Sequence, residues 1–60
     1  MNELKEIRDT LIECANAVDE VIKIDERESK GEKVSDEEKE STQGKMVMKF
    51  IKMQQLSQSL

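Results

Sequence analysis

In the first half of the chain, apolar side chains return every three or four residues: Leu4, Ile7, Leu11, Cys14, Val18 and Val21. That spacing is the a/d repeat of a helix with one buried stripe, and it holds for nearly three heptads. It predicts a helix over about residues 3–28. Ala15 and Ile22 widen the stripe, and the pattern stops at Asp25, the next a position. Asn2 is a candidate N-cap, and Glu3 and Glu6 follow where the helix dipole favours negative charge. Proline is absent and Phe50 is the only aromatic residue. Strands favour aromatic and β-branched residues, so this composition argues against a sandwich or barrel and favours helix.

The stretch ESKGEKVSDEE interrupts the pattern. Gly31 can take the left-handed conformation that ends a helix, with Lys30 favourably placed beside it. Ser35 followed three residues later by Glu38 matches the capping box, and Asp36 and Glu37 suit a helix N-terminus. A turn over about 29–35 and a second helix over about 36–57 follow. Gly44 inside that helix marks a kink or a close helix contact. At 100° per residue, Met46, Phe50, Met53 and Leu60 share one face. An antiparallel hairpin centred near Gly31 sets Leu4 beside Leu60, Leu11 beside Met53, Cys14 beside Phe50 and Val18 beside Met46. The same register brings Asp25 to Lys39 and Ile7 to Ser57, with Leu56 adjacent. Apolar stripe and turn therefore agree on a hairpin core of Leu4, Ile7, Leu11, Cys14, Val18, Val21, Met46, Phe50, Met53 and Leu60.

Sixty residues make one domain at most, and a chain this short buries little of its surface. Two helices cannot cover every apolar side chain. Val47, Met48 and Ile51 fall outside the second stripe, and Ile12 and Ile24 outside the first. The expected remedy is association, most simply a homodimer that completes a four-helix bundle. Ile12, Val47, Met48 and Ile51 are the candidate oligomer or partner interface. The fold class expected is all-α, a two-helix antiparallel hairpin within one domain of residues 1–60.

The chemistry available is narrow. Histidine, tryptophan and tyrosine are absent, which removes His-based triads, Glu-x-x-His di-iron motifs and zinc fingers. Two isolated glycines make no phosphate-binding loop. In DERESKG, Arg27 occupies the third position, where an EF-hand loop needs a ligand. Cys14 sits at a core position of the heptad and is read as a small buried residue; an intermolecular disulfide is the other use open to it. Glu3, Glu6, Glu13 and Glu20 interleave with Lys5, Arg8 and Lys23 and form a solvated face rather than an acid–base pair. The acidic turn is too diluted by lysine to imitate a nucleic-acid backbone. No catalytic, metal or cofactor residue is expected, and no enzymatic activity.

The net charge of −4 is unevenly spread. Residues 1–44 hold fourteen acids and seven bases, whereas Lys45, Lys49 and Lys52 are the only charges after them. Opposite charge on the two segments suits their packing together, and an acidic chain is a poor partner for nucleic acid. The Met-rich stretch Met46, Met48 and Met53 fits either an irregular core or an adaptable binding surface. Three flanking lysines without tryptophan make a weak membrane-surface helix. No apolar run approaches the roughly 20 residues of a membrane span, and MNELKEIRDT has no apolar signal core. A cytoplasmic protein is expected.

In general style, MNELKEIRDTLIECANAVDEVIK and GKMVMKFIKMQQL resemble the small orphan helical-hairpin proteins of bacteriophages and prophages of low-GC bacteria. That resemblance implies an accessory or assembly role through protein contacts and transfers no functional residue. The expected function is thus a self-associating interaction or assembly protein. The second expectation is an inhibitor or adaptor that docks its Met-rich helix on a larger protein, and the third is a membrane-surface helix.

Overall fold

A computed structural model describes residues 2–59; Leu60, placed above in the hairpin core, lies outside them. Two helices, α1 (Asn2–Ser29) and α2 (Asp36–Gln58), pack against each other as an antiparallel pair. Because α1 already includes Asn2, the residue that would cap it also lies outside the described residues. The pair is 46 Å long and only 11 Å through its thinnest direction, one helix thick.

The turn is built from backbone hydrogen bonds. Gly31 adopts φ 93°, which a residue with a Cβ enters at a cost. The Gly31 amide donates to the Glu28 carbonyl and the Glu32 amide to the Arg27 carbonyl, both at 3.0 Å. These two bonds are the Schellman pattern, and they satisfy carbonyls the helix end would leave open. The apolar contact that often accompanies this motif is replaced by an ion pair, Arg27 Nε to Glu32 Oε2 at 2.8 Å. Ser35 then opens α2 from extended backbone, its Oγ accepting from the Glu38 amide at 3.1 Å. Only that half of the capping box forms. The Glu38 carboxylate turns instead to Arg27 Nη1 at 2.8 Å, fastening the start of α2 to the end of α1.

Gly44 continues the helix, and a Cβ built there would meet nothing within 4 Å. It therefore marks no close contact.

The seam between the helices is turned relative to the stripe read from the sequence. Its buried residues are Thr10, Cys14, Ala17 and Ile24, joined by Val34 from the turn. Ile7, Val18 and Val21 are half-buried. In heptad terms Ile7, Cys14 and Val21 are a and Thr10, Ala17 and Ile24 are d. Leu4, Leu11 and Val18, one step round at e, were placed in the core by sequence; Leu4 and Leu11 stand 63% and 54% exposed. Phe50 is likewise corrected: it is 45% exposed, and the α2 side of the seam is Lys39, Thr42, Met46, Lys49, Met53 and Leu56, all half-buried. The physical reason is size. Thr10, Cys14 and Ala17 are small, so the helices close along them, and flexible Met46, Met53 and the methylene stem of Lys49 fill the space opposite. Ile24, left uncovered by sequence, is buried.

Candidate interaction surface

One side of the hairpin is held by charge. Glu13 Oε2 lies 3.4 Å from Lys52 Nζ and 3.6 Å from Lys49 Nζ. Arg27 pairs with Glu38 on the same side. Glu20 and Lys45 line one depression there with Glu13, Asn16, Ala17 and Lys49. Glu13, Glu20 and Arg27 are g positions, as are Lys52, Lys45 and Glu38, and antiparallel helices bring g beside g. The residue numbers of Arg27–Glu38 and Glu13–Lys52 both total 65, Glu13–Lys49 and Lys39–Glu28 fall to either side of that, and together the four pairs set the register to within about a turn. The opposed signs at these positions are a register signal already present in the sequence. The expected Asp25–Lys39 pair does not form; Lys39 Nζ pairs with Glu28, one turn further along.

These pairs are exposed, and exposed pairs hold a fold only weakly. The hydrogen bonds that Arg27 donates, first to Glu32 and second to Glu38, push its pKa further above its ordinary value. Glu28 does the same for Lys39. A raised pKa means the contribution is full at neutral pH and is lost only as pH climbs through the folded value, in the alkaline range.

The opposite side of the hairpin carries positions e and b of both helices, and it is apolar. From α1 it receives Leu4, Leu11 and Val18 at e and Ala15 and Ile22 at b; from α2, Phe50 at e and Val47 at b. All but the half-buried Val18 are exposed. Gln43 and Gln54 continue the α2 row to either side. Towards the turn the face becomes more polar, where Asp25, Glu28, Lys39 and Gln43 surround one depression with Val21 and Ile24 in its wall.

Of the four interface candidates read from sequence, Val47 lies on this face. Ile12 and Ile51 fall at position f, directed away from the seam, and Met48 falls at c, on the charged side. All three are exposed, Met48 at 65%. Leu4, Leu11 and Phe50, read as hairpin core, belong to the face instead.

Among the described residues no group of acids and Cys14 has metal-binding geometry, and no helix is long and apolar enough to cross a membrane. Cys14 is a free thiol buried in the seam, as the heptad predicts.

The cap gives a direct test of the turn. Ser35→Ala removes the acceptor for the Glu38 amide and should cost about 1 kcal/mol. A chain this small should then melt roughly 4–8 °C lower. An unchanged melting temperature would count against the cap.

Comparison of the chain with protein-family models, with curated proteins and with solved structures finds no match.

Proposed function

We propose that the protein is a non-enzymatic helical hairpin that self-associates, two copies completing a four-helix bundle, and that it serves as a small interaction or assembly protein. The observation that carries this reading is surface area. The chain exposes 4819 Å². A folded monomer of its 6.9 kDa should expose about 4,000 Å². The excess, about 800 Å², is what one partner buries in a standard protein interface. Its radius of gyration, 14.1 Å, likewise exceeds the roughly 10 Å of a compact 60-residue domain. A stable domain needs two packed layers, and one hairpin supplies a single layer. The stripe on α1 spans a, d and e, the breadth of a helix inside a bundle rather than in a two-stranded seam.

Sedimentation equilibrium at micromolar concentration tests the proposal. The expected mass is twice 6.9 kDa, with a melting temperature that rises with concentration. A well-folded 6.9 kDa monomer with a concentration-independent melting temperature would overturn it. The exposed apolar face would then belong to a larger protein partner.

A further inference from the structure

We propose that the second copy lies on the e/b face with its turn at the opposite end, related by a two-fold axis perpendicular to the helices at the level of residues 16–17 and 48–49. This rests on the self-association proposed above and says how the two copies meet.

Two two-fold arrangements can bring the face against itself. One axis runs along the helices. It keeps both turns at one end and lays α1 of each copy on α2 of the other. The other axis runs across the helices. It puts the turns at opposite ends and lays α1 on α1 and α2 on α2. The residues on the face discriminate between them.

In the crosswise arrangement each row must be complementary to its own reverse, because an isologous contact pairs i with j and j with i. The α1 row Arg8, Leu11, Ala15, Val18, Ile22, Asp25 has this property. Reversed about its midpoint, it sets Leu11 against Ile22, Ala15 against Val18 and Arg8 against Asp25; Leu4, one step beyond Arg8, falls opposite Ser29 at the margin of the face. The α2 row Gln43, Val47, Phe50, Gln54 has it too, setting Val47 against Phe50 and Gln43 against Gln54. The two midpoints are reached independently, one between residues 16 and 17 and one between 48 and 49. The register set by the ion pairs between the helices places those midpoints at about the same level of the hairpin, to within a turn. One axis therefore serves both rows.

The lengthwise arrangement mismatches the same residues. It sets Leu11 against Gln54 and Ile22 against Gln43, burying amides on aliphatic groups without partners. It sets Asp25 beside Glu40, two like charges. It also gathers the acidic turns together. Residues 25–40 hold eight acids and four bases, so the whole net charge of −4 sits at the turn end, and the remainder of the chain is neutral. Side by side, two such ends repel within a Debye length; at opposite ends they are separated by several. Within one chain Asp25 makes no ion pair among the described residues, and Arg8 reaches only its neighbour Asp9.

Arg8 and Asp25 give a test that no contact within one chain can imitate. They sit 17 positions apart on one helix, about 25 Å, too far to interact in the monomer. Arg8→Glu and Asp25→Arg should each weaken the dimer, by roughly two- to tenfold in Kd from sedimentation equilibrium. The double variant should recover most of the loss, because each swapped pair recurs twice in the dimer. Independent losses that simply accumulate in the double variant would overturn the crosswise arrangement. A spin label on Lys33→Cys in a Cys14→Ala background gives a second measure. Pulsed dipolar spectroscopy should return about 45 Å between the two labels, from 1.5 Å of rise per residue. A distance under about 25 Å in a protein that still sediments as a dimer would establish the lengthwise arrangement and leave self-association standing. A monomer in sedimentation would overturn both.

Discussion

Phe50→Glu should leave the chain monomeric at micromolar concentration and largely unfolded, whereas Ile51→Glu should leave it assembled. The contrast follows from one step of helical rotation. Phe50 occupies e, on the apolar face, and in the proposed dimer it meets Val47 of the second copy. Ile51 occupies f and is turned away from both the seam and the face. Removing Phe50 forfeits about 1.5–3 kcal/mol of apolar burial on each chain. The carboxylate that replaces it must also be desolvated twice, at about the same cost again or more. The sum exceeds the 1.4 kcal/mol per factor of ten in Kd several times over. A hairpin one helix thick has no reserve against such a loss, so folding falls with association. Sedimentation equilibrium and circular dichroism melts of the two variants decide the matter. Equal dissociation by both would mean that the interface wraps the outer edge of α2. No dissociation by Phe50→Glu would remove the e/b face from the interface.

How much of this was legible in the sequence depends on which residues are asked. The helices and the turn were legible because their signals are local. Gly31 supplies the positive φ, Ser35 the cap and Asp36 to Glu38 the charge at a helix start, and the helix ends fall within about a residue of expectation. The orientation of the seam was not legible, and the cause is a degeneracy in α1. Ile7, Cys14 and Val21 belong to two stripes at once. Joined with Leu4, Leu11 and Val18 they make an a/e stripe of large residues. Joined with Thr10, Ala17 and Ile24 they make an a/d stripe in which only Ile24 is large. Both obey steps of three and four. Ranking by hydrophobicity selects the first, whereas the structure packs the second and buries Thr10 to 2% exposure. The larger residues are then left for a second surface. In α2 the same error moved Phe50 into the seam and Lys49 out of it. A lysine at d is read as solvent-facing, yet its stem packs while its ammonium reaches Glu13. The opposed charges at g carried the register more cleanly than the apolar residues did.

Ile24→Ala separates the two stripes by their energetics. If the seam runs through the d positions, Ile24 is one of its few fully covered large side chains, and truncating it should cost about 2–5 kcal/mol. If the seam ran through e, Ile24 would lie at its margin and the same change would cost under about 1 kcal/mol, close to what Ile12→Ala should show at position f. For a chain of this size, 2–5 kcal/mol is a large part of all the stability it has. Ile24→Ala should therefore melt well below the wild type, while Ile12→Ala melts near it. Helix propensity does not obscure the comparison. Alanine is the better helix former in both variants, by the same small amount, so propensity cancels and packing remains. Ile24 also lies towards the turn, on the seam side of α1 and outside the e/b face. Its loss should weaken the hairpin without altering the contacts between copies. Thermal melts at several concentrations test that separation. A parallel downward shift at every concentration is expected, and a change in the concentration dependence itself would mean that Ile24 takes part in the interface as well.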